Sequence, residues 1–318
     1  MNPVMLRLIV TRVAVSLLTL WIVSVLVFGA TELLPGDVAQ AVLGQAATQD
    51  AVAGLRAALH LDQPGWLRYL IWLGGLLRGD PGRSLVNQLP VTQLIGSRLP
   101  NSLLLAALTA AFSVPLALTL GITAAVKRGS LYDRVANLVT VCVVSVPEFL
   151  VATLAVLVFA VKLHWLPALS SVRDIHSVEQ LFRSFAMPVV SLSFVVMAQM
   201  ARMSRAALIG TLDSSYVEMA MLKGARPARI VLRHALPNAL GPIVNAVALS
   251  LSFLLGGVII IETIFNYPGL AKLMVDAVST RDMPVVQACA MIFCAGYLLL
   301  TTLADIVAIV SNPRLRYR

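Results

Sequence analysis

The residues of this chain whose types and spacing allow chemistry are concentrated in one polar stretch between two long apolar runs. Ser214-Ser215-Tyr216-Val217-Glu218-Met219-Ala220-Met221-Leu222-Lys223-Gly224-Ala225-Arg226-Pro227 leads into Ala228-Arg229-Ile230-Val231-Leu232-Arg233-His234-Ala235-Leu236-Pro237. One carboxylate, a set of cations and a glycine break make it a basic elbow between those runs. The spacing predicts two short helices. Ser215 with Glu218 three residues on forms a capping box, and Val217, Ala220 and Met221 fall on one apolar face. Gly224 ends that helix. Pro227, pre-set for a first helical turn, opens a second segment in which Ile230, Val231 and His234 share a face, until Pro237 forbids continuation. Read from geometry alone, Glu218 is a capping carboxylate and Gly224 a helix stop, with no further role required of either.

Elsewhere the chemistry-bearing groups are sparse. Glu148 follows Pro147 inside an apolar run, where an acid is expensive and must face a cavity, a partner or the bundle interior. It is a candidate for lining a pathway, or a structural residue at a proline-disrupted turn. The four histidines, His60, His164, His176 and His234, have no neighbouring Cys or carboxylate pattern, so no metal site is expected. Cys142, Cys289 and Cys294 lie in apolar segments and read as packing residues. There is no Gly-x-x-x-x-Gly-Lys-Ser/Thr phosphate loop and no His-Glu-x-x-His pair, which argues against nucleotide hydrolysis and zinc proteolysis by this chain.

The elements that position these groups are membrane spans. Of 318 residues, 59% are hydrophobic and only 12% charged, where a soluble domain carries about a quarter charged. The formal charge of +9 is spread in small groups at the ends of apolar runs, which fits topology signals and not a nucleic-acid partner. Six spans are expected, at about residues 13–30, 101–126, 135–161, 187–200 (short), 239–261 and 285–309. A signal peptide is the competitor for the first, but the run is too long and has no cleavage site. Residues 1–12 form a cytoplasmic tail, 13–310 a single transmembrane domain and 311–318 a second cytoplasmic tail. Within the domain, 31–99 is a long external loop with zero net charge, 162–186 a second external loop, and 202–237 the cytoplasmic loop that holds the elbow. Gly256-Gly257 in the fifth span would permit close helix approach. Asp305, near the inner end of the sixth, reads as snorkelling or paired.

The elbow resembles the coupling loop of permease subunits of ATP-binding-cassette importers, whose pattern is Glu-Ala-Ala, three residues, Gly, nine residues, Ile-x-Leu-Pro. Glu218, Ala220, Gly224, Leu236 and Pro237 occupy matching positions, while Met219 and His234 depart from it. Tyr216-Val217, Lys223-Gly224 and Arg233-His234-Ala235-Leu236 are similar to the branch that imports dipeptides, oligopeptides and nickel. So are Leu34-Pro35-Gly36-Asp37, Leu61-Asp62-Gln63-Pro64, Arg78-Gly79-Asp80-Pro81-Gly82-Arg83-Ser84-Leu85, Glu262-Thr263-Ile264-Phe265, Pro268-Gly269-Leu270, Arg281-Asp282-Met283-Pro284-Val285-Val286-Gln287 and the C-terminal Ser311-Asn312-Pro313-Arg314-Leu315-Arg316. The resemblance covers nearly the whole chain.

It implies an all-α polytopic membrane protein with the type I importer permease fold, six transmembrane helices and a large external loop after the first. It implies half of a translocation pathway for peptides or peptide-like solutes in a bacterial cytoplasmic (inner) membrane, with both termini cytoplasmic. Tyr216, Glu218, Ala220, Lys223, Gly224, Arg226, His234, Leu236 and Pro237 would couple the pathway to the ATPase. The implied partners are a second homologous permease, one or two ATPase subunits that bind ATP and magnesium, an extracytoplasmic solute-binding protein and the lipid bilayer. Nickel, glutathione or opine-like solutes are alternatives within the branch. An ion-coupled secondary transporter is the alternative outside it, but the intramembrane acids are few and unrelated in position.

Overall fold

A computed structural model describes residues 3–33, 48–50, 63–170 and 177–311. His60, His176, Leu34-Pro35-Gly36-Asp37, Leu61-Asp62 and the tail from residue 312 lie outside the described residues. Among the described residues the fold is all helix and turn, with one isolated antiparallel bridge between Arg83 and Pro90. Among the described residues five helices are long and apolar enough to cross a membrane, and six spans result if one helix pair, bent by 90°, counts as a single broken span.

The first helix, α1, runs Pro3–Glu32 and begins ten residues before the expected span. After a short helix α2 (Gly65–Leu77), α3 spans Val91–Val126. At about 1.5 Å per residue its 36 residues exceed a ~30 Å hydrocarbon core, so it must project beyond the membrane. The expectation that this span opens after Pro100 is therefore corrected: the helix passes through both Pro100 and Pro115. A proline removes one N–H, and in a membrane-spanning helix small local adjustments re-satisfy the freed backbone.

The third span is α4 (Leu131–Val144), a break at Ser145-Val146-Pro147, then α5 (Glu148–Ala155) and a π-helical stretch Val156–Lys162. Proline disfavours helical dihedrals at the residue before it, so the break falls where the sequence placed a disrupted turn. The fourth span is not short. Helix α6 covers Val178–Leu212, taking in Pro188 and extending the expected span into both flanking loops, over 178–186 on one side and 202–212 on the other.

Two residues later α7 occupies Ser215–Leu222. A single helical turn Pro227–Arg229 and a π-helical turn Ile230–Ala235 then feed directly into α8, Leu236–Ile264. Pro237 does not stop this segment, which corrects the expectation. The wider π winding ahead of it makes room at the carbonyls that the Pro237 ring would crowd and to which it can donate no N–H. The last described elements are α9 (Leu270–Ser279) and α10 (Met283–Ser311).

The residues divide into two compact units. One comprises 1–16, 104–267 and 297–318; in it Ala125, Leu208, Ala235, Ala239 and Ile243 form a core, and Arg12 pairs with Asp305 at 3.3 Å. The other comprises 17–103 and 268–296, with a core of Val91, Ile95, Leu270, Ala277, Val285, Ala288 and Cys289. Its Phe28, Tyr69 and Trp72 rings cluster at 5.5 to 6.1 Å between centroids.

Candidate functional site

The elbow is built from a buried base and an exposed tip. At the base, Ala235 and Ala239 pack in the core beside Leu208 and Ala125, with Leu236 against them. Val217 is fully buried and anchors α7 from its inner side. The tip carries Tyr216, Met219, Met221, Leu222 and Leu232, all exposed, Leu222 at 77% of its surface. Large apolar side chains grouped on one short helix and its return are costly to leave in water and suit a covering partner.

The turn at the tip is specified by hydrogen bonds. Helix α7 stops at Lys223, and Gly224 takes φ +78°, with its N–H donating to the Met221 carbonyl (2.9 Å) and the Ala225 N–H to that of Ala220 (3.1 Å). This pair of bonds is the Schellman arrangement, which favours glycine at the left-handed residue. A Cβ on Gly224 would meet nothing within 4 Å. The demand for glycine is thus conformational, not steric. Arg226 returns to extended geometry and Pro227 starts the next turn with its fixed φ.

The expected capping box is not formed. Ser214, not Ser215, is the N-cap of α7, and its hydroxyl donates backward to the Thr211 carbonyl at 2.5 Å. Ser215 is already inside the helix, so Glu218 cannot serve as its reciprocal cap. Glu218 sits exposed in the first helical turn, together with exposed Tyr216, Lys223 and Arg226. Ala220, His234 and Leu236 are partly buried, and Pro237 is exposed beyond the base. The residues predicted together therefore divide into a tip set and a base set. The shared face expected of Ile230, Val231 and His234 shifts as well: Ile230 and Ala235 are the buried pair, because π winding places residues five apart in register.

Glu148 is not at the elbow. It opens α5 at the break of the third span and rests on α8, where a Cβ built on Gly257 would lie 2.5 Å from its Oε2. Gly257, and not Gly256, is the position that permits close approach.

Two ion pairs behind the elbow were not anticipated. Asp133, buried in the first turn of α4, accepts from Arg205 Nε (2.6 Å) and Nη2 (2.8 Å) and from the Gly129 N–H (3.0 Å). Asp213, the C-cap of α6, accepts twice from Arg128 Nη1, at 2.9 and 2.8 Å. In the sequence Lys127-Arg128-Gly129-Ser130 reads only as a topology signal. The Ser130-x-x-Asp133 spacing was the available clue to a helix start, and the Ser130 hydroxyl does accept from the Asp133 N–H.

In the second unit two of the remote motifs meet. Asp282 is buried, accepts a hydrogen bond from the Ser84 hydroxyl, and accepts from the Leu85 N–H at 3.0 Å. Asn101 Nδ2 donates to the Pro268 carbonyl (2.7 Å), and the Leu270 N–H to the Ser102 hydroxyl (2.7 Å). The motif residues here fasten one another. Among the described residues no three His, Cys, Asp or Glu side chains gather as a metal site.

Comparison with known proteins converges on one family. Residues 117–317 match the model of the binding-protein-dependent transport system inner membrane component, and residues 5–106 match the N-terminal model of the same transport system membrane component. The chain is 36% identical over 314 residues to the glutathione transport system permease protein GsiC of Pectobacterium atrosepticum, covering 99% of this chain and all of that one. It is 35% identical over the same length to GsiC of Escherichia coli, with the same coverage. It is 33% identical over 317 residues, end to end on both chains, to the "Probable peptide ABC transporter permease protein y4tP" of Sinorhizobium fredii. Among solved structures, a chain of the MetNI methionine ABC transporter in inward facing conformations superposes with a TM-score of 0.57 at 18% identity, covering 69% of this chain and 97% of that one. At that identity the likeness bears on the fold alone.

Proposed function

Because this chain belongs to the family of binding-protein-dependent transport system inner membrane components, we propose that its elbow is the surface through which a separate ATPase subunit drives the pathway. The chain is a multi-pass inner-membrane permease of an ATP-binding-cassette importer. The observation that carries the coupling reading is the tip itself: Tyr216, Met219, Leu222 and Leu232 are exposed around a conformationally fixed Gly224, while the base is locked into a core. A rigid apolar knob held on buried helices can receive a displacement without collapsing.

In this reading the elbow and both termini face the cytoplasm, and residues 31–99 face the solute-binding protein. A second permease completes the pathway, and one or two ATPase subunits hold ATP and magnesium. The imported solute is a short peptide or peptide-like molecule. Glutathione, the solute in the names of two relatives, is a tripeptide and belongs to that class. Selectivity resides mainly in the binding protein, because this chain's spans offer few fixed polar groups to a solute.

Uptake of labelled glutathione, di- to pentapeptides and nickel in a deletion strain complemented with this chain tests the solute. ATP-dependent peptide or glutathione uptake is expected. Uptake restored for nickel alone would sink the peptide assignment, and uptake that survives ATP depletion but not collapse of the ion gradient would sink the importer coupling.

A further inference from the structure

We propose that the turn at residues 127–134 is a second coupling element, which receives the motion of the elbow through two ion pairs and delivers it to the broken third span. The inference rests on the coupling reading above and names how that motion leaves the elbow.

A displacement is transmitted only where a moving part is fastened. On its α6 side the elbow hangs from the two-residue joint Asp213-Ser214, and Arg128 grips the Asp213 carboxylate through both oxygens. Eight residues earlier, roughly 12 Å back along α6 at 1.5 Å per residue, Arg205 grips Asp133 in a side-on fork at 2.6 and 2.8 Å. Arg128 and Asp133 belong to the same turn, and the Gly129 N–H closes on Asp133 from inside it. The last two turns of α6 are thus tied at both ends to one short segment. A third contact stiffens the frame: Gly121 of α3 lies so close to α6 that a Cβ there would sit 2.5 Å from the Ala201 carbonyl oxygen.

From residues 127–134 the load enters α4, which Ser130 caps at its start. At Ser145-Val146-Pro147 the direction turns through 90° into α5, whose Glu148 carboxylate bears on Gly257 of α8. The elbow therefore drives two helices: α8 directly through Pro227–Ala235, and the broken span through the ion pairs. The buried Asp133–Arg205 fork is the stiffer link, because losing one partner leaves an uncompensated charge. The Arg128–Asp213 pair is more exposed, at 55% and 59% of its side-chain surfaces, so its partners can be exchanged without endangering the fold.

The test uses the importer complex purified with its ATPase and reconstituted in lipid, with ATP hydrolysis measured against the concentration of loaded binding protein. Arg128→Asp and Asp213→Arg, each alone, should lower the maximal stimulated rate by about fivefold, the lower end of ordinary coupling effects, with the half-saturating binding-protein concentration unchanged. The double exchange R128D/D213R should restore the rate to within about twofold. Asp133→Asn should lower it by more than either single exchange. Full stimulation in both exposed-pair single variants, or a loss that the double exchange leaves unrepaired, overturns the ion-pair frame. A wild-type chain that copurifies with no ATPase overturns the coupling reading and the frame with it, which separates the two failures.

Discussion

The elbow tip and the Ser84–Asp282 cluster are both polar interruptions in an apolar chain, and both carry motif residues of the same importer branch, yet they spend those residues in opposite directions. At the cluster the side chains turn inward: Asp282 is buried and its acceptors are used by Ser84 and Leu85, some 200 positions earlier in the chain. At the tip they turn outward, and the backbone turn at Gly224, closed by the Gly224 and Ala225 N–H groups, holds the shape. A motif shared with a family thus has two physical meanings. Inward residues maintain a fold, so changing them should cost stability first and activity as a consequence. Outward residues are free of the fold, so changing them should cost coupling at constant stability.

The largest stability effect should come from the inward side. Asp282→Ala strips a buried hydroxyl and a partly buried N–H of their acceptor, and each hydrogen bond to a charged group is worth about 1.5 to 3 kcal/mol. The expected outcome is a lower melting temperature in detergent and less protein in the membrane, with uptake per folded molecule nearly unchanged. A variant that melts like wild type but does not transport would place Asp282 on the functional side and break the contrast.

Gly257→Ala should come next. The added methyl group falls 2.5 Å from the Glu148 Oε2, so the carboxylate must leave its seat or the two helices must part. Because Oε2 is the far end of a flexible side chain that can move aside, the cost should lie at the lower end of the about 1 to 3 kcal/mol that overpacking carries. Restoring space with Glu148→Ala in the G257A background should recover most of the melting temperature if the contact is the cause. Failure of that rescue would show that Gly257 is needed for something other than Glu148.

Gly224→Leu crosses from one class to the other. A leucine at φ +78° costs roughly 1 to 2 kcal/mol of local strain, but open space surrounds the Cβ position, so no core is disturbed. Assembly should survive. Stimulated ATP hydrolysis and uptake should be lost, because the tip can no longer hold the Schellman turn. Asparagine, which tolerates the left-handed region, should retain more activity than leucine at the same position.

How much of this was legible depends on distance along the chain and on solvent. The tip could be read locally: Gly224 and Pro227 fix a break by their own dihedral preferences, and the structure places both as expected. The proline stops at Pro100 and Pro237 could not, since those rules describe helices that lose a hydrogen bond to water. In this chain the helix continues through both, at Pro237 with a π turn ahead of it. Val146-Pro147 did break its span, and the sequence marked the disrupted turn there. The ion pairs were illegible for another reason. Arg205 with Asp133 and Arg128 with Asp213 lie 72 and 85 residues apart, and charge composition does not encode pairing across such separations.

Glu218→Ala is the smallest expected change in stability and the sharpest test of the contrast. With Ser214 as N-cap and Ser215 within the helix, Glu218 closes no capping box, and what remains is a favourable position near the positive end of the α7 dipole. An exposed site of that kind moves stability by no more than about 0.5 kcal/mol, so the melting temperature should stay at the wild-type value. If the tip is a docking surface, stimulated ATP hydrolysis should nonetheless fall severalfold, and Glu218→Gln, which keeps the shape and loses the charge, separates the two ways it can act. Recovery in the glutamine variant would assign Glu218 a packing and hydrogen-bonding role against the ATPase, and continued loss would assign it a charge contact. Wild-type stimulation in both variants would leave Glu218 no part in docking and confine the coupling surface to the apolar residues around it.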